Sequence, residues 1–117
     1  MILVCEDDAS LRELICAILG DEFEVSEAAD GDEAMELALR LRPELMVLDI
    51  MLPGRSGLEI LEEIRSTVET AAMPVIAVSA WDNLDYQALA AGADAFLPKP
   101  FHPDELARRV REMLNHR

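Results

Sequence analysis

Long hydrophobic runs are missing from this chain of 117 residues, although 51% of its residues are hydrophobic. No apolar stretch reaches the roughly 18 residues that a membrane-spanning helix needs. The N-terminal segment MILVC runs directly into Glu6 and Asp7, without the basic flank and cleavage site of a signal peptide. These absences predict a cytoplasmic protein that has no membrane partner.

Basic residues are also scarce, with 10 lysines and arginines against 24 acids and a formal net charge of −14. Such a chain repels phosphate backbones, so we predict no direct nucleic-acid binding by this chain. The one basic cluster lies at the C-terminus and consists of Arg108, Arg109, Arg111 and Arg117. A solvated helix face is the simpler interpretation of this cluster, and a partner-binding surface is the alternative.

Cysteine occurs twice and lysine once. Cys5 and Cys16 lie in apolar patterns, which favours free thiols in a reducing cytoplasm over a disulfide. The single lysine, Lys99, stands between two prolines, whereas every other basic residue is an arginine. A compact ammonium at this one position indicates a site that requires a point charge rather than a planar guanidinium. The Lys99–Pro100 bond is a candidate for a cis peptide.

Strand-like and helix-like patterns alternate five times along the sequence. The predicted strands are residues 2–5, 23–28, 45–48, 75–78 and 95–97. A helix with inward apolar residues follows each of them, the first with a Ser10–Glu13 capping box and the third with Val68 as its last inward residue. Five such units in a row predict an α/β fold, a parallel sheet covered by helices on both faces, in one domain spanning residues 1–117.

Four predicted strands end at polar residues suited to phosphoryl chemistry. These residues are Glu6 and Asp7, Asp49, Ser79, and Lys99. Because the carboxyl ends of parallel strands share one edge, where open α/β sheets carry their sites, we expect these side chains in one pocket. Capping of the next helix by Asp7 or Asp8 is the alternative for the first pair.

Asp49 precedes a loop rather than a helix, so helix capping does not explain it. Two carboxylates about 4 Å apart repel each other by roughly 4 kcal/mol at an effective dielectric constant near 20. A proton or a cation must offset that repulsion. Oxygen ligands with room for water are typical of Mg²⁺, which is therefore the predicted cofactor.

Four segments, ILVCEDDASLR, LMVLDIMLPGRSGLE, PVIAVSA and GADAFLPKPF, resemble in order and spacing the receiver domain of two-component response regulators. The resemblance covers essentially the whole chain. It implies a flavodoxin-like (βα)5 doubly wound parallel sheet with strand order 2-1-3-4-5. It also implies a signalling module that catalyses its own phosphorylation and dephosphorylation rather than an enzyme acting on other substrates.

The resemblance assigns roles to the residues of the pocket. Asp49 would accept a phosphoryl group from a sensor histidine kinase or a histidine phosphotransfer protein. Asp7, Asp49 and the backbone carbonyl of Met51 would bind Mg²⁺, with Glu6 acting through water. Lys99 would pair with one phosphoryl oxygen.

The resemblance further implies a switch and an output surface. Ser79 would move towards the phosphoryl group, and the ring of Phe96 would turn into the vacated space. The signal would leave through the fourth helix, fifth strand and fifth helix. In one subfamily this face forms a dimer through acids and arginines, and the similar residues here are Asp94, Arg108, Arg109 and Arg111. A phosphorylation-dependent homodimer is thus left open, since the fourth helix has no basic residue.

Two residues should modulate the lifetime of the phosphorylated state. Met51 lies two residues after Asp49, and Trp81 lies two residues after Ser79. Large apolar side chains there would hinder the water that hydrolyses an acyl phosphate. The alternative for Trp81 is that it covers the apolar edge of the fourth helix.

Two other functions compete with the leading one. A phosphatase of the haloacid dehalogenase type also uses an aspartate after a strand, but it needs a second aspartate where this chain has Met51. A degenerate receiver that binds partners without phosphorylation is the second alternative, and the complete set of pocket residues disfavours it.

Overall fold

The computed structural model of the protein describes residues 1–115, apart from the side chain of Asp82. Arg117, a member of the predicted basic cluster, lies outside the described residues. Strands and helices alternate along the chain as predicted. The elements are β1 (Ile2–Cys5), α1 (Ala9–Gly20), β2 (Val25–Ala28), α2 (Gly31–Leu41), β3 (Leu45–Asp49), α3 (Gly57–Ser66), β4 (Val75–Ser79), α4 (Asp85–Ala91), β5 (Ala95–Pro98) and α5 (Pro103–Asn115).

The five strands form one parallel sheet in the order β2-β1-β3-β4-β5, which confirms the predicted flavodoxin-like topology. Cys5 is the register partner of Leu48, and Leu48 is the partner of Ala77. The carboxyl ends of β1, β3 and β4 are therefore level with one another. Residues that directly follow these strands meet at a single edge of the sheet.

Alternate side chains of the strands enter two cores, one on each face of the sheet. Helices α2, α3 and α4 cover one core, into which Leu48 and Ala77 point. Helices α1 and α5 cover the other, into which Val47 and Val78 point. Burial of both faces explains why the central strands are continuous apolar runs rather than alternating ones.

Helix boundaries differ from the sequence prediction at two places. Asp8, not the predicted Ser10–Glu13 box, caps α1: the Leu11 N–H donates to Asp8 Oδ1 at 3.0 Å. The connection from β1 is so short that Ser10 already lies inside the first turn. Helix α3 ends at Ser66, and Val68, predicted to face inward, is 90% exposed.

Arg65 holds together the segments that lead into β4 and β5. The Arg65 guanidinium donates to the carbonyl oxygens of Met73 at 2.7 Å and Gly92 at 2.9 Å, and to Asp94 Oδ2 at 2.9 Å. The same Asp94 oxygen accepts from the Val75 N–H at 2.8 Å. Hydrogen bonds to a charged group are worth about 1.5–3 kcal/mol each, so this cluster holds β4 and β5 in register.

Both cysteines are free, as predicted. Burial raises the pKa of the Cys5 thiol far above its ordinary range, and burial raises the pKa of Cys16 to about 11. The two thiols are therefore protonated and unreactive at neutral pH. Within residues 1–115, none of the helices has the length and apolar character required to cross a bilayer.

Candidate phosphoacceptor site

Three carboxylates lie at the carboxyl edge of the sheet. Asp49 is the last residue of β3, and Glu6 and Asp7 directly follow β1. The side chains of Asp49 and Glu6 are buried, and Asp7 is exposed. Since Cys5 pairs with Leu48, the next residues along the two strands, Glu6 and Asp49, are neighbours across the edge.

Lys99 joins the two buried acids. Its Nζ lies 2.7 Å from Glu6 Oε1 and 2.8 Å from Asp49 Oδ2. The Lys99 N–H donates to the Ser79 carbonyl oxygen at 2.7 Å, which attaches the segment after β5 to the end of β4. The Lys99–Pro100 peptide is cis, as predicted. The ammonium is therefore in direct contact with two of the strand-end acids.

The remaining oxygens of the buried acids are held by main-chain donors. Asp49 Oδ1 accepts from the Met51 N–H at 2.8 Å, and Glu6 Oε2 accepts from the Asp8 N–H at 3.2 Å. Both carboxylates consequently have fixed orientations. A fixed orientation suits a nucleophile that must attack in line with a leaving group.

The pKa values of Glu6 and Lys99 are both raised by their surroundings. Burial and the nearby Asp49 raise the pKa of Glu6 to about 7, although the hydrogen bond from Lys99 opposes this rise. Burial alone would lower the pKa of Lys99, but its hydrogen bonds to Asp49 and Glu6 outweigh burial and raise it. Lys99 therefore stays charged, and Glu6 is the group that titrates near neutral pH.

The raised pKa of Glu6 predicts a specific pH dependence of stability. In the unfolded chain Glu6 ionises near pH 4.5, whereas in the folded protein it holds its proton up to about pH 7. This group therefore lowers the free energy of unfolding progressively as the pH rises between these values, and its penalty is complete above pH 7. In Glu6→Gln, which has no proton to lose, the free energy of unfolding should fall less steeply over this range.

Urea unfolding in EDTA at a series of pH values measures the difference. Glu36→Gln is the matched control, because Glu36 is exposed on α2 and its substitution removes the same charge. Its curve should run parallel to that of the wild type. A parallel curve for Glu6→Gln as well would show that Glu6 is not a buried proton-binding group.

The three carboxylates fit a divalent cation. One oxygen each from Glu6, Asp7 and Asp49 lies within 4.8 Å of the others. All three ligands are hard oxygens, and Asp7 opens the site to solvent, so a partly hydrated ion could enter. The donor set suits Mg²⁺ better than metals that prefer sulfur or nitrogen. The carbonyl of Met51 as a further ligand, and Glu6 acting through water, stay predictions.

The other predicted residues lie in β4, in β5 and in the segments that follow β3 and β4. Ser79 is fully buried at the end of β4, and its Oγ accepts from the Trp81 N–H at 3.1 Å. Among the described residues, no hydrogen bond joins this hydroxyl to Asp49 or Lys99. Phe96 on β5 is half-buried against the core under α4. The side chains of Met51 and Trp81 are 53% and 59% exposed.

Sequence reasoning missed Arg12 altogether. This residue lies in α1, and its guanidinium reaches back to the main chain of Glu6 and Asp7. Its position in the sequence is that of an ordinary polar residue on a helix, so only the tertiary contact reveals its role.

Comparison with known proteins identifies this arrangement. The family model for the response regulator receiver domain matches residues 2–111. The chain belongs to the response regulator receiver family. The sequence resemblance is therefore confirmed, and the chain is a receiver domain of the phosphorylation-based two-component type.

The relatives agree with this assignment. The DNA-binding response regulator MtrA of Mycobacterium tuberculosis is 39% identical over 116 residues, which are 97% of this chain and 50% of that protein. The chain thus spans about half the length of the curated relatives it matches. The receiver domain of NtrX from Brucella abortus superimposes with a TM-score of 0.90 at 33% identity, covering 98% of both chains.

A third relative bears on the metal. The receiver domain of the sensor histidine kinase PA1611 from Pseudomonas aeruginosa has a magnesium ion coordinated in its active-site cleft. It superimposes with a TM-score of 0.89 at 31% identity and covers 97% of this receiver and 96% of its own chain. The acidic cluster of the present receiver has the chemistry for such an ion.

Proposed function

We propose that this receiver accepts a phosphoryl group on Asp49 from a sensor histidine kinase or a histidine phosphotransfer protein, in a Mg²⁺-dependent reaction. The observation that carries the proposal is the contact of a buried strand-end aspartate with the only lysine of the chain, beside two further acids. We also propose that residues 1–117 act as one domain. Contact with nucleic acid is not part of this proposal, given the net charge of −14.

The transfer forms a bond from an Asp49 carboxylate oxygen to phosphorus while the bond from phosphorus to the donor imidazole nitrogen breaks. The Met51 N–H and Lys99 hold the two Asp49 oxygens before the donor arrives. Lys99 can then follow the negative charge onto a phosphoryl oxygen with a small movement of its side chain. Mg²⁺ bound by Asp7, Asp49 and the Met51 carbonyl oxygen, with Glu6 acting through water, would neutralise charge on the phosphoryl oxygens.

Ser79 and Phe96 form the proposed switch. The Ser79 hydroxyl accepts one hydrogen bond from the Trp81 N–H, so its proton stays available for a phosphoryl oxygen. Ser79 and Phe96 lie on neighbouring strands, with Ser79 in register with Pro98. Phe96 also lines a cleft of about 410 Å³ between α4 and α5, from which its ring can turn inward. We propose that phosphorylation draws Ser79 to the site and the ring into the core.

Most charged residues proposed to pair across a homodimer of α4, β5 and α5 already have partners within the protein. Asp94 already binds Arg65, Arg111 lies 2.5 Å from Glu22, and Arg108 lies 3.9 Å from Glu112. Arg109 lines the cleft beside Phe96 and, within the described part of the chain, has no ion pair. If phosphorylation produces a homodimer through α4, β5 and α5, Arg109 is the arginine best placed to pair across it.

Incubation with Mg²⁺ and acetyl phosphate, followed by intact-mass measurement, tests the proposed function. We expect one added phosphoryl group on the wild type and none on Asp49→Asn, which keeps the size of the side chain and lacks the nucleophile. Asp32→Asn, exposed on α2, is the matched control and should be phosphorylated normally.

The alternatives predict other outcomes. A phosphatase of the haloacid dehalogenase type would release phosphate from acetyl phosphate continuously without a stable adduct, and a degenerate receiver would gain no mass at all. Either result would overturn the proposal. Size-exclusion chromatography of the phosphorylated and unphosphorylated protein separately tests the homodimer.

We also propose that Met51 and Trp81 slow the loss of the phosphoryl group. The Met51 N–H donates to Asp49 and the Trp81 N–H donates to Ser79, so the backbone from which each of these side chains extends is next to a residue of the site. In the double variant Met51→Asn/Trp81→Glu, water should reach the acyl phosphate more easily. We expect loss roughly ten times faster, which corresponds to about 1.4 kcal/mol in the barrier.

A timed mass measurement after removal of excess acetyl phosphate gives the rate. The control is Val68→Asn, which changes an exposed apolar residue near the opposite edge of the sheet. Its rate should equal that of the wild type. Equal or slower loss from the double variant would rule out a shielding role.

A further inference from the structure

We propose that Arg12 is a positioning residue, which fixes the peptide groups of Glu6 and Asp7 so that the Asp7 carboxylate points at the cation site. This inference rests on the proposed function, since it concerns the binding of the same divalent cation. It adds a residue that touches neither the cation nor the phosphoryl group.

The geometry of Arg12 is that of a clamp between three segments. Its Nη1 donates to the Glu6 carbonyl oxygen at 2.8 Å and, more weakly, to the Asp7 carbonyl oxygen at 3.4 Å. Its Nε donates to Glu27 Oε1 at 3.0 Å. The side chain is only 19% exposed. Arg12 thereby ties α1 and the end of β2 to the loop that carries the acids.

The loop has no other support at these two carbonyls. Glu6 and Asp7 lie between β1 and α1, outside both hydrogen-bonded elements. Among residues 1–115, no main-chain N–H donates to the carbonyl oxygen of either. The guanidinium of Arg12 thus takes the place of a secondary-structure partner, because its Nη1 donates to both carbonyl oxygens while its Nε is held by Glu27.

Asp7 depends on this support more than the other two acids do. Main-chain donors and Lys99 hold the carboxylates of Glu6 and Asp49 directly. In the described part of the chain, no hydrogen bond or ion pair holds the Asp7 carboxylate, which is exposed. Its direction is therefore set by its backbone, whose N–H groups are held by Ala28 and by the Glu6 side chain and whose carbonyl oxygens are held by Arg12.

Charge and positioning predict opposite effects when Arg12 is replaced. Arg12 brings a positive charge close to an acidic cluster, so removing that charge alone should strengthen the binding of a divalent cation. Removing the clamp should weaken binding, because Asp7 then has to be ordered when the cation binds. The sign of the change in affinity thus separates a positioning role from a purely electrostatic one.

The experiment is a titration of the full chain with MgCl₂, followed by calorimetry and by Trp81 fluorescence, on the wild type, Arg12→Met and Arg12→Lys. We expect Mg²⁺ affinity to fall roughly tenfold in Arg12→Met, as is usual when a partner that orients a metal ligand is lost. Arg12→Lys keeps the charge but not the fork, and its affinity should fall in between. Arg40→Met is the matched control, because it removes an exposed arginine from α2 that pairs only with Glu36 among the described residues.

The outcomes are distinct. Unchanged or tighter binding by folded Arg12→Met overturns the inference, as does a lower unfolding temperature with wild-type affinity, which would mean a merely structural arginine. If Arg12→Met does not fold, Arg12→Lys alone decides by the same criterion. Absence of Mg²⁺ binding by the wild type would overturn the cation part of the proposed function and this inference with it. If the wild type binds Mg²⁺ and Arg12→Met binds it equally well, the inference is overturned and the proposed function is not affected.

Discussion

Replacing Lys99 with methionine should lower the free energy of unfolding at pH 8, in the absence of divalent cations, by roughly 2–4 kcal/mol. The ammonium is the one cation within hydrogen-bond distance of the Glu6 and Asp49 carboxylates among the described residues. Removing one partner of a buried ion pair typically costs about 3–5 kcal/mol, because the remaining charge is left without compensation. The residual exposure of Lys99 and the ability of Glu6 to take up a proton reduce this cost.

The loss of stability caused by Lys99→Met should depend on pH. Glu6 has a pKa of about 7 with Lys99 beside it, and the loss of the ammonium should raise that pKa further. At pH 5 Glu6 is protonated in both proteins, so the loss of stability is the smaller one that comes from the Asp49 carboxylate, which has lost its partner. The loss of stability therefore grows as the pH rises above about 7, where Glu6 of the wild type ionises beside Lys99 and Glu6 of the variant still holds its proton.

A divalent cation should restore part of the stability that Lys99→Met loses. Lys99 and Mg²⁺ compete for the same carboxylate oxygens, so Lys99→Met should bind Mg²⁺ more tightly than the wild type does. Urea unfolding with and without MgCl₂ measures both effects. The control Arg40→Met removes an exposed positive charge from α2 and should remain within about 1 kcal/mol of the wild type. A Lys99→Met variant of wild-type stability at pH 8 would show that the contacts of Lys99 contribute nothing net.

The fold was predictable because the sequence patterns that specify its strands and helices each involve only a few neighbouring residues. The strands β1, β3 and β4 are short apolar runs, and a helix with inward apolar residues follows each of them as the sequence predicts. Predictions failed where two local signals competed. The Ser10–Glu13 pair has the pattern of a capping box. Asp8 caps α1 instead, because the loop after β1 is short and the helix already begins at Ala9.

The candidate site was predictable in part for the same reason. The positions of Asp49 and Lys99 follow from the ends of their strands, and their contact follows from parallel pairing. The clamps formed by Arg12 and Arg65 were not predictable, because each joins segments that are distant in sequence and leaves no periodic pattern. The close approach of Gly57 to β3 was missed as well, because no sequence pattern marks it.

Gly57→Ala should be among the most destabilising single substitutions outside the charged cluster. Gly57 begins α3, and its N–H donates to the Ile50 carbonyl oxygen at 2.7 Å. A Cβ at this position would lie 2.5 Å from Ile50 Cα and 2.7 Å from the Asp49 carbonyl oxygen. Both atoms belong to the main chain, so no change of rotamer relieves the overlap. We expect a loss of roughly 3 kcal/mol, the upper range for overpacking.

The effect should extend to the function of the site. Relief of the overlap requires either α3 or the end of β3 to move, and the second movement displaces the Asp49 carboxylate from Lys99 and the Met51 N–H. The rate of phosphorylation by acetyl phosphate should therefore fall along with the stability, since displacements of about 1 Å can cost a factor of about 100 in rate.

Gly20→Ala is the matched control, because a Cβ on Gly20 meets no atom within 4 Å. Gly20 is the last residue of α1, where alanine is the better helix former, so this variant should gain roughly 0.5 kcal/mol. Urea unfolding of the two variants side by side separates the loss of backbone entropy, common to both, from the steric overlap, present only at Gly57. Equal stabilities would mean that α3 begins farther from β3 than the structure has it, and that the position of Asp49 does not depend on this glycine.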